Sequence, residues 1–162
     1  MGNKKTTDKK NLKDLKNYLK TRLEKEEKNI KPEPWTSSEM SDFLDEIVIP
    51  AFDILRNEML EYNFDAVDYT LYVKKAVLKV ADPLTHFIFK VEINNSRREV
   101  KIYYIIKHRI KRRTKLLDTD FSEFEVISFN EIEKINKDFI ISLFTKWFIK
   151  KDELINTFGN NI

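Results

Sequence analysis

The chain has no cysteine in its 162 residues. Disulfides, thiolate zinc sites and cysteine nucleophiles are therefore excluded, and the reading is of a cytoplasmic protein. Its two glycines, Gly2 and Gly159, stand at opposite ends. Glycine-rich phosphate loops need several residues lacking Cβ close together, so P-loop and Rossmann-type nucleotide sites are excluded as well. Two histidines, His86 and His108, are too few for a metal centre built on imidazole and leave only mixed-ligand sites open. No run approaches the roughly 18 apolar residues of a membrane span, and the Lys-rich first thirty residues have no signal-peptide core. Gly2 does open the acylation pattern Met1-Gly2-x-x-x-Thr6 with Lys9 and Lys10 beyond it, a short pattern that an ordinary solvated start also satisfies.

What the chain has is bulk and charge. Hydrophobic residues make up 41% and charged residues 35%, with twelve Phe and six Tyr, enough for one domain with a sound core and a heavily solvated surface. The net charge of +3 conceals a polarised molecule. Between Arg97 and Lys115 stand nine basic residues, Arg97, Arg98, Lys101, Lys107, Arg109, Lys111, Arg112, Arg113 and Lys115, against the single acid Glu99. That segment carries +8 and the remainder of the chain −5, which points to an anionic partner.

Residues 1–34 form a separate block with eleven basic and six acidic residues and a thin apolar stripe of Leu12, Leu15, Leu19 and Leu23. So narrow a stripe cannot make a core. The block reads as a charged arm, disordered over the first ten residues, helical from Asn11 to Lys28 and stopped by Pro32 and Pro34. Residues 35–162 read as a single α+β domain.

In that domain Thr36-Ser37-Ser38-Glu39 is a capping box with Trp35 placed to staple on Met40. Apolar residues then recur at helical spacing from Met40 to Tyr62, with a kink expected from Val48 to Pro50. After Asn63 the period is two. Val67, Tyr69, Leu71 and Val73 share one phase and Ala76, Leu78 and Val80 the other, so a bulge or turn is expected between them. Phe87 to Ile93 and Val100 to Ile106 alternate on either side of Asn94-Asn95, residues tolerant of positive φ, and form a hairpin whose second strand is central. A shorter strand fits Phe121 to Ile127. Ser128-Phe129-Asn130-Glu131 is a second capping box, opening a helix over 130–157 with Gly159 as its C′ residue. The expected fold is two-layer α+β: three to four antiparallel strands packed against helices 37–62 and 130–157, with Phe139, Leu143 and Trp147 buried on Phe87, Phe89 and Tyr104.

The anion- or partner-binding candidates are Arg97, Arg98, Lys107, Arg109, Lys111, Arg112, Arg113 and Lys115, since arginines and lysines on one loop neutralise adjacent phosphates. The bland reading of the same run is a solvated loop pairing with the acidic helix of Asp42, Asp45 and Glu46, or with Asp118 and Asp120 nearby in sequence. Glu99-Val100-Lys101, with Asp82 upstream, matches the acid-x-Lys element of metal-dependent nucleases, a pattern that a Lys-rich chain repeats by chance. Asp118 to Ser122 resembles the start of a calcium loop, but Glu123 and Phe129 occupy the glycine and bidentate-glutamate positions, so an EF-hand is rejected. No catalytic, cofactor or metal residues are assigned. The leading expectation is a non-enzymatic accessory or adaptor subunit that docks a larger protein through the arm and the basic loop. Its rival is a nucleic-acid-binding module using segment 97–115.

Overall fold

The computed structural model describes residues 2–28, 32–109, 116–118 and 122–160. The chain divides into two compact units, residues 1–32 and 33–162. The first contains one helix, α1 (Gly2–Lys28), which starts well before the expected Asn11. Once a helix is nucleated each added residue costs little, and nothing from Asn3 to Lys10 is a glycine or proline that would stop it. Leu12, Leu15, Tyr18, Leu19 and Leu23 are exposed on it.

The second unit opens with α2 (Ser37–Phe43), whose capping box forms as written. The Thr36 Oγ1 accepts from the Glu39 N–H and the Glu39 Oε1 from the Thr36 N–H, both at 3.2 Å. A π-turn, Leu44–Val48, separates α2 from α3 (Ile49–Met59). In place of a kink or break over 48–50 the chain has this wider turn immediately before Pro50, and Pro50 explains it. Lacking an N–H and crowding the carbonyl four residues back, it favours a wider turn just before it, where the Ile49 N–H reaches back five residues to the Leu44 carbonyl.

Six antiparallel strands follow: β1 (Ala66–Leu71), β2 (Lys75–Ala81), β3 (Thr85–Asn94), β4 (Glu99–Arg109), β5 (Leu116–Asp118) and β6 (Phe124–Ser128). The α+β class holds, with more strands than the three or four expected. The phase slip near Lys74 is a hairpin turn rather than a bulge, because Leu71 pairs with Ala76. The sheet is only five strands wide: β5 pairs with Lys107–Arg109 and β6 with Glu99–Tyr103, so the two share one flank of β4. β4 is accordingly central.

Register aligns the apolar residues into one face. Phe87 opposes Ile106, Phe89 Tyr104, Val91 Ile102 and Ile93 Val100, while Leu78 and Val80 oppose Phe89 and Phe87 from the other side. All eight of these from β3 and β4 are buried, and the helices cover them through Phe43, Leu44, Phe52, Ile140, Phe144 and Trp147. Of the three residues expected on the sheet, Leu143 and Trp147 are buried and Phe139 is half-buried at the helix start, whereas Phe144 packs edge-on against Phe87 and Phe89 at 5.5 and 5.4 Å.

The second capping box does not open the last helix. Ser128 Oγ accepts from the Asn130 N–H, but residues Phe129–Lys134 form a 3-10 turn and Ile135 is extended. Phe129 and Ile135 are both buried, and their burial directs the chain across the core before α4 (Lys137–Asn160) begins, capped by Asn136 Oδ1 on the Phe139 N–H at 2.8 Å. α4 continues through Gly159, which therefore is not a C′ residue.

Candidate nucleic-acid interface

Alternation that sends Val100, Ile102, Tyr104 and Ile106 into the core sends Glu99, Lys101, Tyr103, Ile105 and Lys107 to the opposite face. On β3 the same face takes His86, Ile88, Lys90 and Glu92, and on β2 Lys75, Val77 and Lys79. These residues are half-buried or exposed, away from the helices of this unit. Five lysines from three strands, Lys75, Lys79, Lys90, Lys101 and Lys107, thus share a face with Asp68, Glu92 and Glu99.

Between the lysines lie aromatic rings. Tyr103 pairs with Phe124 of β6, and Phe124 is 61% exposed, an unusual position for so large an apolar side chain in a strand. The Lys101 ammonium stands 4.7 Å from the Tyr103 ring centroid and 5.1 Å from that of Phe124, and Lys90 stands 5.6 Å from Tyr103. The Tyr103 hydroxyl donates to Glu92 Oε2 at 3.0 Å, which orients the ring.

Burial, helped by the hydrogen bond to Glu92 and its charge, pushes the Tyr103 phenol up to about 12. Burial followed by the charge of Glu123 does the same for Tyr104, on the core face behind it. Both folded values lie above the ordinary 10.0, so the neutral phenols contribute stability that is intact below pH 10.0 and lost as pH rises toward about 12. The melting temperature should therefore fall over that window as tyrosinate absorbance rises, and the double change Tyr103→Phe and Tyr104→Phe should lessen the fall. An unchanged decline in the double variant would mean that other groups drive alkaline unfolding.

The sequence candidates are spread along β4 and beyond both its ends. Arg97 is exposed in the β3–β4 turn, and Lys107 lies on the open face opposite His86. Arg98 is less available: it is half-buried, holds a φ of 53°, and its guanidinium donates to the Ser96 carbonyl at 3.0 Å. That positive φ falls on Arg98 and not on Asn94 or Asn95, whose side chains are engaged otherwise. Asn94 Oδ1 accepts from Ser96 Oγ and the Arg97 N–H, and Asn95 grips the Trp35 backbone. Arg109 ends β4 paired with Leu116; Lys111, Arg112, Arg113 and Lys115 lie outside the described residues.

Asn95 ties the β3–β4 turn to Trp35 at the start of α2, so the acidic helix starts beside the Arg97 end of the sheet, while the run from Lys111 to Lys115 with which it was expected to pair lies outside the described residues. The acid-x-Lys pattern fails on the length of the strands, since β4 spans roughly 35 Å at the usual rise per residue. Glu99 pairs with Asn94 at one end of β3, while Asp82 precedes Thr85 at the other and spends Oδ1 on the Leu84 and Thr85 N–H groups. Among the described residues no group of three or more His, Asp or Glu is placed to hold a metal ion. His108 meets the Thr85 hydroxyl through Nδ1 at 2.8 Å on the core side.

Lys75, Lys79, Lys90, Tyr103 and Phe124 are not among the binding candidates read from the sequence. Their period-two phase was visible, but their adjacency depends on strand order, which alternation alone does not supply. No described helix is long and apolar enough to cross a membrane. No family model matches this chain, and neither do any of the curated proteins or solved structures compared with it.

Proposed function

We propose that this chain is a nucleic-acid-binding module whose open sheet face takes up a phosphate backbone. One observation carries the reading: lysines from β2, β3 and β4, distant in sequence, converge on the sheet face opposite α2, α3 and α4. Lysines on one surface release counterions when they meet phosphates, and this sequence-independent term supplies most of non-specific binding. Segment 97–115, which contains β4, carries +8 in sequence and adds to the attraction for an anionic partner.

The test is fluorescence anisotropy with labelled oligonucleotides between about 50 and 200 mM salt. Replacing Lys75, Lys90, Lys101 and Lys107 with Ala should leave thermal stability nearly unchanged, because none lies in the core. The slope of log K against log salt should flatten by roughly 0.7 to 0.9 per lost phosphate contact. Replacing Arg109, Lys111, Arg112 and Arg113 with Ala measures the share of the run at the end of β4 in the same way. Absence of binding at the lowest salt would reject this reading. The adaptor reading would then stand, supported by the exposed leucine stripe of α1, a surface suited to a partner helix.

A further inference from the structure

We infer that the ligand of this face is a single strand, held by bases stacked on Tyr103 and Phe124; the inference rests on the nucleic-acid reading above and names its substrate. A major groove about 12 Å wide admits a helix or a two-stranded ribbon. The face in question belongs to a sheet five strands wide, about 24 Å across at the usual interstrand spacing. It cannot enter a groove, and a duplex laid on it would offer phosphates while its bases stayed stacked inside.

An unpaired strand offers both parts. Tyr103 and Phe124 are directly opposed on neighbouring strands and both rings lie within reach of the Lys101 ammonium, and the exposed Phe124 leaves apolar surface in water that a base would cover. Aromatic platforms of this kind tolerate any base because every base has a π-face. Lys101 stands within 5.1 Å of both ring centroids and Lys90 within 5.6 Å of Tyr103, so a phosphate next to a stacked base meets an ammonium at once. Glu92 holds the Tyr103 hydroxyl and so fixes the ring before ligand arrives. Stacking and phosphate capture are thereby built on the same few square residues of sheet, the pairing of features that single-strand binders use.

Binding of oligo(dT), oligo(U) and a DNA duplex of the same length should be compared for the wild type and for Phe124→Ala, Phe124→Trp and Tyr103→Leu. Both single strands should bind more tightly than the duplex, and the ratio of the DNA to the RNA strand reports which source the face prefers. Phe124→Ala should weaken single-strand binding by roughly 5- to 150-fold, the loss of one stacked base, with duplex binding and the salt slope unchanged. Phe124→Trp should retain affinity. Since Phe124 is exposed, its variants keep their melting temperature; Tyr103→Leu gives a second measurement on the partner ring. Salt-dependent binding that ignores strandedness and is indifferent to Phe124 would overturn the stacking inference and leave the phosphate-binding reading intact. No binding by any of the three probes would overturn both and assign the platform to a protein partner.

Discussion

Replacing Trp147 with Ala should lower the unfolding free energy by about 3 to 5 kcal/mol in urea denaturation. The indole is 2% exposed and lies 5.2 Å from the Tyr104 ring and 5.9 Å from the Phe89 ring, so it pins α4 to both central strands at once. Removing it leaves a cavity between two layers whose remaining contacts, Phe144 on Phe87 and Phe89, hold the layers apart and limit collapse. Phe139→Ala, although the sequence puts Phe139 in the same buried set, should cost markedly less, because Phe139 is only half-buried at the start of the helix. Equal losses for the two variants, or a Trp147 loss below about 1 kcal/mol, would contradict this account of the core.

Asn95→Ala should be the most damaging single change outside the apolar core, at about 1 to 3 kcal/mol. The Asn95 side chain acts as a short piece of strand: it accepts from the Trp35 N–H at 2.7 Å and donates to the Trp35 carbonyl at 3.0 Å. Trp35 in turn stacks on Phe129 at 4.0 Å, and the Phe129 N–H donates to the Arg98 carbonyl, which closes a ring of contacts around the β3–β4 turn. Loss of the amide leaves two partly buried backbone groups of Trp35 without their partner and frees the turn that carries Arg97. Denaturation followed by tryptophan fluorescence should show a lower midpoint and a red-shifted folded state. A variant with wild-type stability would mean that water replaces the amide at no cost.

Local signals account for much of the architecture. The Thr36–Glu39 box depends on four consecutive residues and forms as the sequence prescribes. The period of two in β3 and β4 is set by the pleat, so Phe87 to Ile93 and Val100 to Ile106 identify themselves as buried without knowledge of their neighbours. The same reasoning expects irregular backbone around Pro50, and a wider turn stands just before it, since a missing N–H is a property of the residue itself. Where these signals misled, a longer-range contact prevailed. Ser128-Phe129-Asn130-Glu131 has the composition of a helix start, yet the burial of Phe129 beneath Trp35 and of Ile135 in the core ends that turn after six residues.

The candidate face divides along the same line. The sequence by itself determined that β4 is basic, that one of its faces is apolar, and that Lys101 and Lys107 share the other with Tyr103, because charge and alternation are properties of a single strand. It could not bring Lys75, Lys90 and Phe124 beside them. Their positions depend on pairing across turns, on a phase slip at Lys74 that proved to be a hairpin, and on two short strands sharing the flank of β4. Only tertiary structure decided those, because strand order is set by how the apolar faces of the whole sheet are jointly covered by α2, α3 and α4, and that free energy belongs to no segment alone.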